Sequence, residues 1–322
     1  MITKRKLRSR LAGAIADRGI VALSRVGRLH PKANPARYGV RHLRGIAYRS
    51  PSGAPADHLL DVYQPMTPPP GGSPALLYLH GGGFRILSKD THWSMALPFA
   101  ARGYTVFVPN YRLAPAHAFP AAVEDAAAAL TWVVRQGATY NADPSRLVLA
   151  GESAGANLAV ALTIATHFDR PEPVAQELGR VVDPSSIKAV LPACGIFEVS
   201  DTSSLGATGV VDAALRRVSE DYLRGRQDAG RSAALVDVLP FLERAPSPTH
   251  PLPPCFQLVG GADVLAPHAV RLDTAWSALG ARSERSTFPG GVHAFHALLW
   301  TKRSREARRA QFAFLGSLAS LG

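Results

Sequence analysis

Short apolar blocks recur along the chain at 59–63, 75–79, 104–108, 146–150, 187–191 and 255–259, with a more polar one at 284–288. Runs of this length, bounded by Gly, Pro or Asp, predict strands, most of them buried on both faces. Longer segments lie between several of them. Residues 121–136 are Ala-rich and stop at Gly137, 154–167 form a long apolar run, 267–279 stop at Gly280, and 303–318 lie near the end of the chain. Each predicts a helix. Strands that alternate with helices predict an α/β fold, with a mostly parallel sheet covered on both faces. Ligands of such sheets bind beyond the carboxyl ends of the strands.

Residues 198–250 break this rhythm. They are polar and Ala-rich, carry Arg216, Arg217, Arg224 and Arg226, and run into a proline cluster between Pro240 and Pro254. The pattern predicts an insertion between two core strands. With residues 1–50 it would form a cap over a catalytic domain spanning 51–322.

Two turns carry candidate chemistry. The strand at 146–150 leads into Gly151-Glu152-Ser153-Ala154-Gly155 and then into a helix. A serine at the apex of a strand–turn–helix has the context of a nucleophile elbow. Small flanking residues allow the strained backbone, and the helix N-terminus favours negative charge nearby. The strand at 75–79 ends in His80-Gly81-Gly82-Gly83-Phe84. Consecutive glycines let backbone N–H groups approach a developing oxyanion. A further donor would be the amide of Ala154.

A nucleophilic serine needs a base and a carboxylate that orients it. His293 follows the last predicted strand and a glycine pair, a loop position suited to a base. His296 is expected to begin the next helix as a half-buried surface residue. His250 and His268 are weaker candidates. Asp263 follows the strand at 255–259, again at a carboxyl end, whereas Asp273 falls within a helix where a solvated side chain is the default. The expected triad is Ser153, Asp263 and His293.

Composition narrows the partners. The 322 residues are 47% apolar, enough for a large core, and no apolar stretch is long enough to span a membrane. The net charge of +12 resides in residues 1–50, which hold 13 Lys/Arg against one acid, Asp17. The remainder is neutral. No RNA- or DNA-binding motif accompanies the basic segment, so nucleic acid is excluded as the expected partner. Leu7, Leu11, Ala14, Ile15, Val21, Ala22 and Val26 recur at helical spacing. The segment reads as a basic amphipathic helix that docks on the body, with weak contact to an anionic membrane surface as the alternative. The weak apolar region behind the basic start does not make a signal peptide, so a cytoplasmic location is expected. Cys194 and Cys255 look like small core residues. Oligomeric state, a homodimer included, is open.

These residues resemble the hormone-sensitive lipase family of α/β-hydrolases, in its branch of bacterial esterases. The likeness runs from about Leu60 to Phe295. It rests on His80-Gly81-Gly82-Gly83-Phe84, Asn110-Tyr111-Arg112-Leu113-Ala114-Pro115, Phe119-Pro120-Ala121-Ala122-Val123-Glu124-Asp125, the elbow, Asp263-Val264-Leu265 and His293-Ala294-Phe295. The resemblance implies an α/β-hydrolase fold with a helical cap and a carboxylesterase acting on small-molecule esters of short to medium acyl chains without metal or organic cofactor; the alternatives are an amidase, formamidase or lactonase on the same triad, a long-chain lipase, or a non-catalytic small-molecule receptor. It implies Ser153 as nucleophile, His293 as base, Asp263 as orienter, and an oxyanion hole from the Gly82, Gly83 and Ala154 amides, with Gly81 able to replace one of these glycines. The chain departs from the family at Glu152, where Asp is frequent, and at Ala116, where Glu is common.

Overall fold

A computed structural model of the chain describes Gly19 and residues 30–49, 55–224, 233–299 and 301–319. The amphipathic helix expected within residues 7–26 lies outside this part, apart from Gly19. All seven predicted strands form, and an eighth precedes them: β1 Val40–Ala47, β2 Leu59–Pro65, β3 Ser73–Leu79, β4 Thr105–Pro109, β5 Ala142–Glu152, β6 Ile187–Ala193, β7 Cys255–Gly260 and β8 Ser283–Phe288. They make one sheet in the order β1-β2-β4-β3-β5-β6-β7-β8. β2 runs antiparallel to both neighbours, and every other pairing is parallel. Residues 40–47 were expected in a cap segment and are instead the edge strand of this sheet. Their apolar positions are too widely spaced to read as a strand, and half of the residues pack only partly.

Helices cover both faces. They are α1 Trp93–Ala100, α2 Ala121–Gln136, α3 Ala154–His167, α4 Pro173–Gly179, α5 Gly209–Tyr222, α6 Val238–Leu242, α7 Ala266–Ala278 and α8 Lys302–Ala319. Alternation along β3 divides the core, as the pleat requires. Leu77 and Leu79 pack in a layer with α2, α3, α4, α6 and α7, while Leu76 and Tyr78 face α1 and α8. Each fully buried Leu or Val in these layers contributes about 1.5–3 kcal/mol relative to exposure. All of α3 is buried, which explains a sequence apolar all round. The sequence pattern missed α1, where Pro98 interrupts an otherwise apolar turn.

The expected insertion supplies α5 and α6. α5 lies against the glycine loop after β3, where the Tyr222 ring stacks on Phe84 at 3.8 Å and the Tyr222 carbonyl accepts from the Phe119 amide at 2.8 Å. Among the described residues, no helix is long and apolar enough to cross a membrane.

Candidate active site

β3 and β5 are neighbours at the centre of the sheet, and their carboxyl ends deliver the two glycine-bearing turns side by side. Ser153 stands between β5 and α3 with φ 54° and ψ −113°, a conformation that non-glycine residues rarely adopt. Its amide donates to the Ala193 carbonyl at 2.9 Å, which fixes the turn to β6. The turn closes because Gly155 has no side chain. A Cβ there would stand 2.0 Å from the Leu79 carbonyl oxygen.

His293 reaches the serine from the loop after β8. Its Nε2 lies 3.0 Å from Ser153 Oγ, and its Nδ1 lies 2.9 Å from Asp263 Oδ2. Asp263 sits in the loop after β7, where its Oδ1 accepts from the Leu265 amide at 2.9 Å. Burial raises the Asp263 pKa, but the hydrogen bond and charge of His293, the Leu265 amide and the Cys194 thiol outweigh it and hold the carboxyl below its usual range. Burial likewise lowers His293, yet Asp263 lifts it above the ordinary histidine value. The carboxylate therefore stays ionised and favours the imidazolium.

The three glycines divide their tasks. The Gly81 amide donates to His92 Nε2 at 3.1 Å and is thereby engaged. Among the described residues, the Gly82 and Gly83 amides have no hydrogen-bond partner. Gly82 has φ 109°, and a Cβ there would stand 2.1 Å from the Ile86 carbonyl oxygen, so the loop admits only glycine. The Ala154 amide opens α3 directly after the serine.

The other candidates fall elsewhere. Asp273 accepts from Ser283 Oγ at 2.6 Å and faces Arg285 across the outside of α7 and β8. His268 is fully buried and accepts from the Phe197 amide at 3.2 Å, a packing role. His250 is exposed. His296, expected on the surface at a helix start, is instead buried in a short 3₁₀ turn, Phe295–Ala297. The turn folds inward because the Ser304 hydroxyl and Arg308 of α8 both donate to the His296 carbonyl, at 2.7 and 3.3 Å. Cys255 is a core residue as expected. Cys194 is a core residue that also touches the site: its Sγ, an Asp263 oxygen and a His293 nitrogen lie within 4.8 Å of one another. A strand-end position one residue past β6 was the available signal for it. This donor set is poor for a metal, because burial holds the thiol protonated and the carboxylate and imidazole already bond each other.

The alpha/beta hydrolase fold family matches residues 76–297. Over 226 residues the chain is 34% identical to the acetyl-hydrolase of Streptomyces hygroscopicus, an overlap covering 69% of this chain and 68% of that protein. It is 42% identical over 103 residues to esterase LipI of Mycobacterium tuberculosis, covering 31% of this chain and 32% of LipI. The chain thus spans about a third or less of the first curated relatives it matches. The esterase of Pyrobaculum calidifontis superposes with a TM-score of 0.71 at 24% identity, over 95% of this chain and 93% of that one, a likeness of fold.

Proposed function

The chain belongs to the α/β hydrolase fold family, and we propose that it hydrolyses carboxylic esters of short to medium acyl chains through an acyl-enzyme. The observation that carries this reading is the unbroken line of hydrogen bonds from Ser153 Oγ through His293 to Asp263. His293 takes the Ser153 proton as Oγ attacks the ester carbonyl. The Gly82, Gly83 and Ala154 amides receive the oxyanion. Losing one such donor typically costs about 100–1,000-fold in turnover. His293 then protonates the departing alcohol, and a water activated by the same imidazole releases the acid. Asp263 keeps the Nδ1 proton in place and stays charged throughout.

A short acyl group is supported by the acetyl-hydrolase relative and by α5, which crowds the glycine loop from above. Residues 51–322 are read as the catalytic body and 198–250 as its cap, with β1 assigned to the body. The test is a series of p-nitrophenyl esters from acetate upward, on the natural chain and Ser153→Ala. Expected is hydrolysis that falls off beyond medium chains and drops by about 10⁴-fold or more in the variant. Turnover retained in a pure Ser153→Ala sample would remove Ser153 from the reaction.

A further inference from the structure

Glu152 precedes the nucleophile yet has no part in the steps above. Its side chain is buried beneath the site and joins the two loops that the reaction needs. On one side, Oε1 presses on the glycine loop so closely that a Cβ at Gly81 would stand 2.8 Å from it. On the other, Oε2 lies 3.5 Å from His296 Nε2, three residues beyond the base. Both residues are only 5% exposed, and neither Glu152 Oε2 nor His296 Nε2 has a hydrogen-bond partner among the described residues. A buried acid and a buried imidazole nitrogen that face one another are paired by a single proton between them, which leaves only the His296 Nδ1 side of the ring without a partner among the described residues.

We propose that Glu152 is a positioning residue that works as a neutral carboxylic acid, donating its proton to His296 and so tying the end of β5 and the glycine loop to the turn that follows His293. This rests on the esterase reading above. The surroundings favour the neutral form. Asp263 and His293 face Glu152 from the loops after β7 and β8, His296 from its 3₁₀ turn, Tyr78 from β3, Tyr111 from the loop after β4, and Cys194 from the end of β6. Beyond His296 stand His92 and Arg308. Burial pushes the Glu152 pKa up to about 7, with His293 lowering and Asp263 raising it, and burial first of all pulls His296 down to about 3. Below about pH 7 the pair therefore holds its proton on the carboxyl. Neutrality also suits the chemistry, because a carboxylate here would set negative charge beside the oxyanion and strengthen the hold of His293 on its proton.

The test is Glu152→Gln, which keeps the shape and fixes the side chain neutral. Steady-state kinetics with p-nitrophenyl acetate are expected to show kcat/KM of the natural chain falling by about three- to tenfold relative to Glu152→Gln between pH 6 and 8, as a charge appears beside the site. Glu152→Gln should lose only about threefold at pH 6, whereas Glu152→Ala loses activity at every pH because the contact itself is gone. Infrared difference spectra between the natural chain and Glu152→Gln provide a second readout that needs no turnover. A carboxylic acid C=O band should persist at pH 6 and vanish between pH 6 and 8. Superposable pH profiles for the natural chain and Glu152→Gln, or no such band, would overturn the proposal. If the natural chain shows no Ser153-dependent turnover, the esterase reading fails and the infrared band alone decides the state of Glu152.

Discussion

Arg85, two residues beyond Gly83, donates through Nε to Asp221 Oδ2 at 2.7 Å, with both side chains about nine-tenths covered. The bond joins the glycine loop to the last turn of α5, beside the stack of Phe84 on Tyr222. Val218 of the same helix lies so close that a Cβ at Gly83 would meet its Cγ2 at 2.7 Å. α5 thus sets the position of the loop whose Gly82 and Gly83 amides have no hydrogen-bond partner among the described residues. Asp221→Ala removes the anchor and leaves the Arg85 charge covered without this partner. Because small misplacements of catalytic donors are costly, kcat/KM is expected to fall by about 10- to 100-fold. Steady-state kinetics on a short ester check this. Unchanged constants would mean that α5 does not govern the loop.

Gly155 tests the packing that creates the elbow. A methyl there meets backbone, the Leu79 and His80 carbonyls, and neither can rotate away. Gly155→Ala is expected to cost stability at or beyond the upper end of about 1–3 kcal/mol, read from denaturant midpoints. Gly316, inside α8 and with nothing within 4 Å of a notional Cβ, is the control. Gly316→Ala should stabilise the chain by about 0.4–1 kcal/mol. Equal effects at the two sites would refute the close approach of α3 to β3.

What the sequence made legible follows a physical rule. Strands buried on both faces, such as β3 and β5, announce themselves as apolar runs, and a serine between a buried strand and a buried helix is visible because the turn demands small neighbours. β1 was missed because an edge strand needs few apolar residues. The inward turn of His296 was missed because it depends on contacts from Ser304 and Arg308, side chains of the next helix that no local pattern links to it. The contact between Cys194 and Asp263 joins the ends of two different strands, a relation that exists only after the sheet has formed. The split among the three glycines came from His92, eleven residues beyond Gly81, which engages that amide.

Buried histidines set the acid stability. His80 and His296 are pulled to about 3 and His92 to about 4, in each case chiefly by burial. Between these values and the ordinary 6.5, the unfolded chain binds protons that the folded chain refuses, so stability rises with pH across that window. Glu152, raised from 4.5 to about 7, acts in the opposite sense but is one group against three, so the melting temperature is expected to fall progressively from about pH 6.5 toward pH 4. A melting temperature constant from pH 7 to 4 would show that these side chains become charged without unfolding.

The two late aspartates have different partners, Asp263 the His293 imidazole and Asp273 the Ser283 hydroxyl, and the proposed triad gives only the first a part in turnover. Asp263 Oδ2 is bonded to the base, and its charge lifts the histidine above its usual value. Asp273 bonds Ser283 across α7 and β8, away from the serine. Asp263→Asn should lower kcat by about 10⁴-fold, since an amide no longer holds the productive tautomer. It should also move the acid limb of the remaining activity to lower pH, because an imidazole without its carboxylate protonates less readily. Asp273→Asn should leave both the rate and the limb in place. The pH profile decides between mechanisms that the rate alone leaves together: a carboxylate that merely braced the loop would slow turnover in the Asn variant without moving the limb. A loss of rate with an unmoved limb would therefore assign Asp263 to loop structure, and a shifted limb ties its charge to the base.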